Sequence, residues 1–289
     1  MSRLLAMIVM LAGLVVAGPV FAHDDPCTED DPRWREPADA NAASFYWMEW
    51  APFSGPEVGW ETYLPLLQRE VGTACGHETT GFAAALASWQ VRYNLPGTGV
   101  FDPASFQVLR GVMQERRPFV MARINGECPE SPSLLLLAYI PVEHEQAERM
   151  TRLVRRDVLQ AYLSMVEAAR SEVPEIAADP ELLKIFSGWR DPDEDRLRCE
   201  REGNCDGLRR AVCSPHRTGT AIDIYVGHAT GWGVDSTDHY NRLQQSRGAA
   251  YRWLVLNAHR FGFVNYIYEP WHWEWVGPVA NASAPAVTP

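Results

Sequence analysis

Apolar positions between residues 57 and 117 recur with the spacing of amphipathic α-helices. The pattern predicts three helices, at residues 60–71, 82–93 and 103–113. In the second helix the apolar residues at 82, 85, 86, 89 and 93 recur with the helical period, which places them along one face. Asp102 directly precedes the third helix and is a suitable N-cap. We therefore predict a small all-α domain at residues 57–117, followed by a connector at 118–144.

The C-terminal half of the chain mixes helical and strand patterns. Long helical patterns cover residues 142–173 and 242–260, and Gly262 is placed to end the second of them. Buried or alternating apolar segments predict four strands, at residues 182–186, 220–226, 263–268 and 271–276. The last two strands are expected to be joined around Glu269 and Pro270. This order of elements predicts an α+β domain at residues 145–278.

Strand alternation separates polar from apolar side chains in two of these strands. Asp223 lies on the opposite face from the aliphatic residues of the strand at 220–226. His272 and Glu274 share one face of the last strand, and Trp271, Trp273 and Trp275 share the other. The alternation predicts that Asp223 and His272 face a cleft while their apolar neighbours face the core. Glu274 is expected to be a solvated or supporting carboxylate rather than a metal ligand.

The two ends of the chain have the composition of segments outside the fold. Arg3, an apolar run at 4–16 and small residues up to Ala22 predict a signal peptide at 1–22. Residues 23–56 read as a flexible lead-in and 279–289 as a disordered tail. No later apolar run is long enough to span a membrane. The protein is therefore expected to be exported, to the periplasm or the extracellular space.

Net charge and cysteine content narrow the classes of function. The formal net charge of −11 argues against a nucleic-acid-binding protein, which would carry a basic surface. Six cysteines in an exported chain favour disulfides, although the sequence does not choose among the pairings. A bridge within the cluster at 199, 205 and 213 would tie down the loop before His216. The alternative, a cysteine-rich zinc knuckle, lacks the usual CxxC spacing.

Two short segments concentrate the residues that carry chemistry. The first runs from Ser214 to Asp223 and contains His216; the second begins with Glu269 and contains His272. A catalytic zinc site typically needs three protein ligands, an open position for water and a carboxylate that accepts the proton of that water. These two segments offer two histidines, one aspartate and one further glutamate, which matches that requirement.

The motifs Ser-x-His-x-x-Gly-x-Ala-x-Asp and Glu-Pro-Trp-His resemble those of the VanY-type D-alanyl-D-alanine carboxypeptidases over residues 145–278. The resemblance implies a Hedgehog-like antiparallel sheet with flanking helices. It also implies one Zn²⁺ bound by His216, Asp223 and His272, with Glu269 as the catalytic acid/base. The segment from Ser187 to Arg190 is similar to the family's Ser-Gly-Tyr-Arg, and this implies that Arg190 binds substrate or the developing oxyanion. Residues with weaker supporting roles are Ser187, Ser214 and Trp271.

The helical domain at 57–117 resembles the three-helix peptidoglycan-binding domain found beside many wall hydrolases. The residues that carry this resemblance are Trp89, Gln90, Leu95, Gly99, Val100, Phe101, Asp102 and Leu109. The resemblance implies contact with glycan strands through residues 57–117. The alternative is a helical subdomain that only packs against the enzyme.

The function implied by these resemblances is the hydrolysis of peptidoglycan stem peptides, most directly as a D-alanyl-D-alanine carboxypeptidase. One alternative is an endopeptidase that cuts cross-links or the L-Ala–D-Glu bond. An alternative of another class is a non-catalytic, zinc-containing wall-binding module, although such a module has no need of Glu269. The residues from Asp191 to Cys213 depart from the family pattern, because the Ser that often follows the Arg is absent.

Overall fold

The computed structural model describes residues 27–28, 30–53, 55–146, 152–203, 205 and 213–278. The signal peptide predicted at 1–22 and the tail predicted at 279–289 lie outside the described residues. The α-helices in the described ranges are α1 (Arg35–Phe45), α2 (Leu64–Val71), α3 (Thr80–Arg92), α4 (Pro103–Glu115), α5 (Pro118–Ile124), α6 (Arg156–Glu172), α7 (Pro174–Ala178), α8 (Pro192–Glu202), α9 (His239–Arg247) and α10 (Ala249–Asn257). The strands are β1 (Glu49–Trp50), β2 (Glu57–Val58), β3 (Leu137–Tyr139), β4 (Leu153–Arg155), β5 (Ile185–Ser187), β6 (Ala221–Ile224), β7 (Phe263–Tyr266) and β8 (Glu269–Trp275).

The three predicted helices of the N-terminal half are present as α2, α3 and α4, close to the expected boundaries. Asp102 caps α4 by accepting a hydrogen bond from the Ser105 backbone N–H at 2.7 Å. Thr79 caps α3 in the same way, with Phe82 N at 3.1 Å. The buried faces of these helices form an aromatic-rich core.

Part of the lead-in predicted as flexible is ordered, because residues 35–45 form α1. Asn41 is fully buried, and its side chain binds the backbone of Gly99 and Phe101, each at 2.8 Å. Phe45 is buried among aromatic rings, 4.7 Å from that of Trp60. The prediction of flexibility was wrong because α1 is rich in alanine and shows little apolar periodicity.

A four-stranded antiparallel sheet in the order β5-β6-β8-β7 forms the centre of the C-terminal half. The register sets Asp223 opposite His272, and Ser187 opposite Asp223 on the other side. Ile222 and Trp273 join the apolar core that also contains residues of α6 and α10. The predicted α+β class, with an antiparallel sheet, flanking helices and a preceding helical region, is confirmed.

Three predicted boundaries in this half were wrong. The helix expected at 142–173 begins only at Arg156, because residues 153–155 pair with β3 as strand β4. The helix expected at 242–260 is two helices, since Gly248 adopts an extended conformation between them. The last hairpin turns at residues 267–268, and Glu269 and Pro270 already belong to β8. Neither turn residue is Gly or Asn, so the sequence carries no hairpin signal at this position.

All six cysteines form disulfides, which confirms that expectation and leaves no thiol for a zinc knuckle. The pairs are Cys27–Cys75, Cys128–Cys213 and Cys199–Cys205. The bridge within the predicted cluster therefore lies at the end of α8. The loop before His216 is instead tied to the connector through Cys128.

The helical region and the sheet region share one apolar core rather than meeting across a thin boundary. Buried ion pairs also join them: Arg242 contacts Glu57, and Arg117 contacts Glu274. None of the helices within the described ranges combines the length and apolar character that a membrane crossing requires.

Candidate metal centre

Asp223 and His272 lie opposite each other on the two central strands β6 and β8, and His216 joins them from the 3-10 turn before β6. Asp223 lies between the two histidines, with Oδ1 2.9 Å from His272 Nδ1 and Oδ2 3.3 Å from His216 Nε2. One potential ligand atom from each residue lies within 4.8 Å of the others. All three residues are buried. The three expected ligands are thus close enough to share one ion.

Two glycines shape the backbone around His216. Gly219 has φ of 68° and ends the short 3-10 turn that carries His216, so the chain can enter β6. Gly188 lies against β4, where an added Cβ would come within 2.5 Å of the Leu153 carbonyl oxygen. The position of Gly188 matters because its own carbonyl oxygen lies 2.8 Å from His216 Nδ1. The Ser-Gly-Trp-Arg segment therefore orients a candidate ligand.

The outer ring nitrogens of both histidines have partners that fix the ring orientation. A carbonyl oxygen only accepts, so His216 Nδ1 donates to Gly188 and Nε2 is left to face Asp223. His272 Nε2 lies 3.2 Å from Glu274 Oε1, which leaves Nδ1 facing the centre. Partners of this kind are typical of metal-binding histidines.

The charges of the centre suit a bound cation. Burial lowers the pKa of His216 and so favours the neutral imidazole that binds metals. Burial would also lower the pKa of His272, but hydrogen bonds to Asp223 and Glu274 raise it to about 9. Burial would raise the pKa of Asp223, yet the two histidines hold it far below its usual range. The carboxylates therefore stabilise positive charge between the rings.

Two imidazoles and one carboxylate form a donor set that is typical of catalytic zinc sites. The buried position, the inward-facing nitrogens and the partnered outer nitrogens all fit such an ion. These residues are thus suited to hold Zn²⁺.

Glu269 is the first residue of β8 and lies close to the three candidate ligands, but it is not one of them. Its Oε2 lies 4.0 Å from His272 Nδ1, and the side chain keeps 28% of its accessible surface. Burial raises the pKa of this carboxyl above its ordinary value, which makes it a better proton acceptor. Glu269 is therefore placed beside the candidate metal site and in contact with solvent.

Arg190, Ser214 and Ser187 lie next to the candidate ligands, whereas Trp271 does not. The Arg190 Nη2 donates to Ser214 Oγ at 3.0 Å, and its Nε lies 3.9 Å from Asp195 Oδ1. Ser214 also receives a hydrogen bond from the His216 backbone N–H at 3.3 Å. Ser187 occupies the β5 position opposite Asp223. Trp271 is buried on the face of β8 that points away from the ligands.

Two residues near the centre have larger roles than the sequence indicated. Glu274 is only 2% exposed, and it contacts His272 rather than solvent. Burial would raise its pKa, but His272 and Arg117 lower it to about 2. Arg117, the ion-pair partner of Glu274, lies 157 positions away in the chain. No local sequence pattern marks a partner at that distance.

Comparison with known proteins finds similarity over the part of the chain that contains the centre. The family model described as VanY, D-alanyl-D-alanine carboxypeptidase, matches residues 151–278. A Bacillus subtilis (strain 168) protein named "Putative carboxypeptidase YodJ" is 28% identical over 169 residues, which cover 52% of this chain and 55% of the relative. The chain thus spans about half the length of that curated relative.

A solved structure of the LdcB LD-carboxypeptidase is similar at 25% identity and a TM-score of 0.38, covering 52% of this chain and 71% of that one. Such a TM-score does not establish a common fold. The family match spans all three candidate ligands together with Glu269 and Arg190. Residues 151–278 are therefore similar to a VanY-type peptidase domain.

Proposed function

We propose that the protein is a zinc-dependent peptidase that hydrolyses peptidoglycan stem peptides, with D-alanyl-D-alanine carboxypeptidase activity as the favoured reaction. The observation that carries the proposal is the convergence of His216, Asp223 and His272 next to a solvent-accessible Glu269. A purely structural metal site has no need of such a carboxylate. The similarity of residues 151–278 to the VanY family model supports the same class of reaction.

The three ligand residues would hold the ion through His216 Nε2, His272 Nδ1 and an Asp223 carboxylate oxygen. When bound, zinc supplies a Lewis acid that makes a water molecule acidic enough to lose its proton near neutral pH. Glu269 accepts that proton at its carboxylate and then delivers it to the leaving amine nitrogen as the peptide bond breaks. Water thus adds across one amide bond, which yields a carboxylate and an amine.

Arg190 supports the carboxypeptidase over the endopeptidase alternative. A guanidinium is a permanent cation whose donors can bind a carboxylate in a bidentate manner. Arg190 Nε makes no hydrogen bond within the described part of the chain, and its nearest carboxylate, Asp195 Oδ1, lies 3.9 Å away, so this donor is available to a substrate carboxylate. A substrate with a free terminal carboxylate would satisfy it, whereas an internal peptide bond offers no such charge.

Replacing Arg190 with Met is expected to lower kcat/KM for a peptide ending in D-Ala-D-Ala by about tenfold to a hundredfold, because hydrogen bonds to charged groups contribute about 1.5–3 kcal/mol. The measurement compares a free-acid peptide with its C-terminal amide. Arg196→Met, on the exposed side of α8, is the matched control. Equal losses on the acid and the amide would argue against binding of the terminal carboxylate.

Product analysis on purified muropeptides tests the proposed function and its alternatives together. Mass spectrometry showing the loss of one D-Ala from pentapeptide stems is the expected result. Cleaved dimers or a cut at the L-Ala–D-Glu bond would establish the endopeptidase instead. A protein that binds zinc and wall but converts no peptide would be the non-catalytic module.

We further propose that the protein acts outside the cytoplasm, in the periplasm or beyond the cell. Three disulfides support this location, because such bonds persist in oxidising compartments.

The apolar core shared with the sheet supports a packing role for the helical region. Contact between residues 57–117 and glycan strands is a separate hypothesis, which co-sedimentation with purified wall material would test.

A further inference from the structure

A buried arginine from the helical region reaches the back of the candidate metal centre. Arg117 lies between α4 and α5, at the residue that precedes the first turn of α5. Its Nε donates to Glu274 Oε1 at 2.9 Å, and its Nη2 donates to the same oxygen. The two side chains are 6% and 3% exposed. A charged pair so deeply buried is costly to desolvate, so it calls for a physical explanation.

The guanidinium of Arg117 is held on several sides. Its Nη1 donates to Gln114 Oε1 at 2.5 Å, from within α4. Its carbon Cζ lies 4.2 Å from the centre of the Tyr266 ring, a cation–π contact. The same Tyr266 ring approaches His272 edge-on, with the ring centres 6.1 Å apart. Arg117 is thus fixed in place beside a candidate ligand.

One oxygen connects this arginine to the metal centre. Glu274 Oε1 receives both Arg117 donors and also lies 3.2 Å from His272 Nε2. On the other side of the ring, His272 Nδ1 faces Asp223. The contacts form a continuous path from Arg117 through Glu274 to the ligand nitrogen of His272.

We propose that Arg117 is a positioning residue for the zinc site, so that the helical region forms part of the metal-binding machinery. Arg117 orients the Glu274 carboxylate, and Glu274 holds His272 with Nδ1 directed at the ion. This inference rests on the proposed zinc-binding function. It gives the helical region a role that requires no contact with glycan.

The competing interpretation is an ion pair that only joins the two regions of the fold. Both interpretations predict that removing Arg117 destabilises the protein, because Glu274 would remain buried without its partner. They differ for the double variant Arg117→Met with Glu274→Leu, which removes both charges. A merely structural pair predicts recovery of both stability and zinc affinity. A positioning pair predicts recovered stability with zinc affinity still weak.

The experiment measures the zinc dissociation constant of the full chain by competition with a chromogenic chelator, together with urea unfolding of the metal-free protein. Arg117→Met is expected to weaken zinc binding by about 10–100-fold, the usual effect of losing a partner of a ligating histidine. Arg117→Lys keeps the charge but loses the forked geometry, so it should recover affinity only in part. Arg116→Met, which removes a neighbouring arginine paired with Glu70, is the control and should keep wild-type affinity.

The outcomes separate this inference from the proposed function. A wild-type protein that does not bind zinc would overturn the proposed function itself. Wild-type zinc affinity in Arg117→Met, or in the stable double variant, would overturn the positioning role while leaving the zinc site intact. Weak affinity in both variants, with normal affinity in Arg116→Met, is the result that the positioning role predicts.

Discussion

Replacing Glu269 with Gln is expected to lower kcat by about 10²–10⁴-fold while the protein still binds one zinc ion. The range is the usual contribution of a positioned general acid/base. Glutamine keeps the size of the side chain but cannot accept the proton of water. Because Glu269 lies 4.0 Å from His272 Nδ1 and is not among the three ligand residues, its loss should leave zinc affinity nearly unchanged. Steady-state kinetics and metal analysis on the same preparation measure both quantities.

The control for this variant is Glu194→Gln, an exposed glutamate in the first turn of α8. It makes the same chemical change away from the centre and should retain wild-type kcat. An active Glu269→Gln enzyme would remove Glu269 from the mechanism. A variant that lost both zinc and activity would instead identify Glu269 as a ligand.

Replacing His216 with Ala is expected to abolish stoichiometric zinc binding and to lower kcat/KM by about 10³-fold or more, because a Lewis acid contributes several kcal/mol to such a reaction. The variant also leaves the Gly188 carbonyl oxygen without its donor, which should cost about 1–3 kcal/mol of stability. Metal content by mass spectrometry, peptide hydrolysis and urea unfolding test these effects separately.

His228→Ala is the matched control, since His228 is an exposed histidine whose ring contacts Tyr225 and which is not one of the three candidate ligands. It should bind zinc and hydrolyse peptide as the wild type does. Full zinc occupancy in His216→Ala would contradict the assigned ligand set.

Treating the wild type with a chelator should reproduce the loss of activity, and added zinc should restore it.

The sequence predicted the arrangement of the site well because the relevant signals are local. Strand alternation placed Asp223 and His272 on the faces that meet in the observed register. Gly219, the glycine of the first motif, ends the turn that carries His216 and lies three positions from it. Alternation in the last strand also separated His272 from its tryptophan neighbours. Each of these features depends on residues within a few positions of one another.

The parts that the sequence could not predict depend on tertiary contacts. The helix predicted at 142–173 starts late because β4 pairs with β3, which no local pattern reveals. Likewise, α1 is held by Asn41, whose partners lie about 60 positions further along the chain. The Cys128–Cys213 bridge spans 85 positions. Arg117 and Glu274 are still further apart, so their link to His272 becomes visible only in the folded chain.

The segment from Asp191 to Cys213, which departs from the family pattern in sequence, contains helix α8. Within it, Pro192–Glu202 form this helix, and the Cys199–Cys205 disulfide lies at the C-terminal end of the helix. Asp195 of this helix lies 3.9 Å from Arg190 Nε. Asp195 of α8 therefore lies beside the residue proposed to bind the terminal carboxylate.

Hydrolysis of a D-Ala-D-Ala-terminated pentapeptide by metal-free and zinc-loaded protein tests the central claim most directly. If the zinc site is as proposed, the metal-free protein shows no turnover, and the protein with one equivalent of zinc releases a single D-Ala. The Glu269→Gln variant then lacks that activity. Equal turnover with and without zinc, or no hydrolysis of any stem peptide by the zinc-loaded protein, would contradict it.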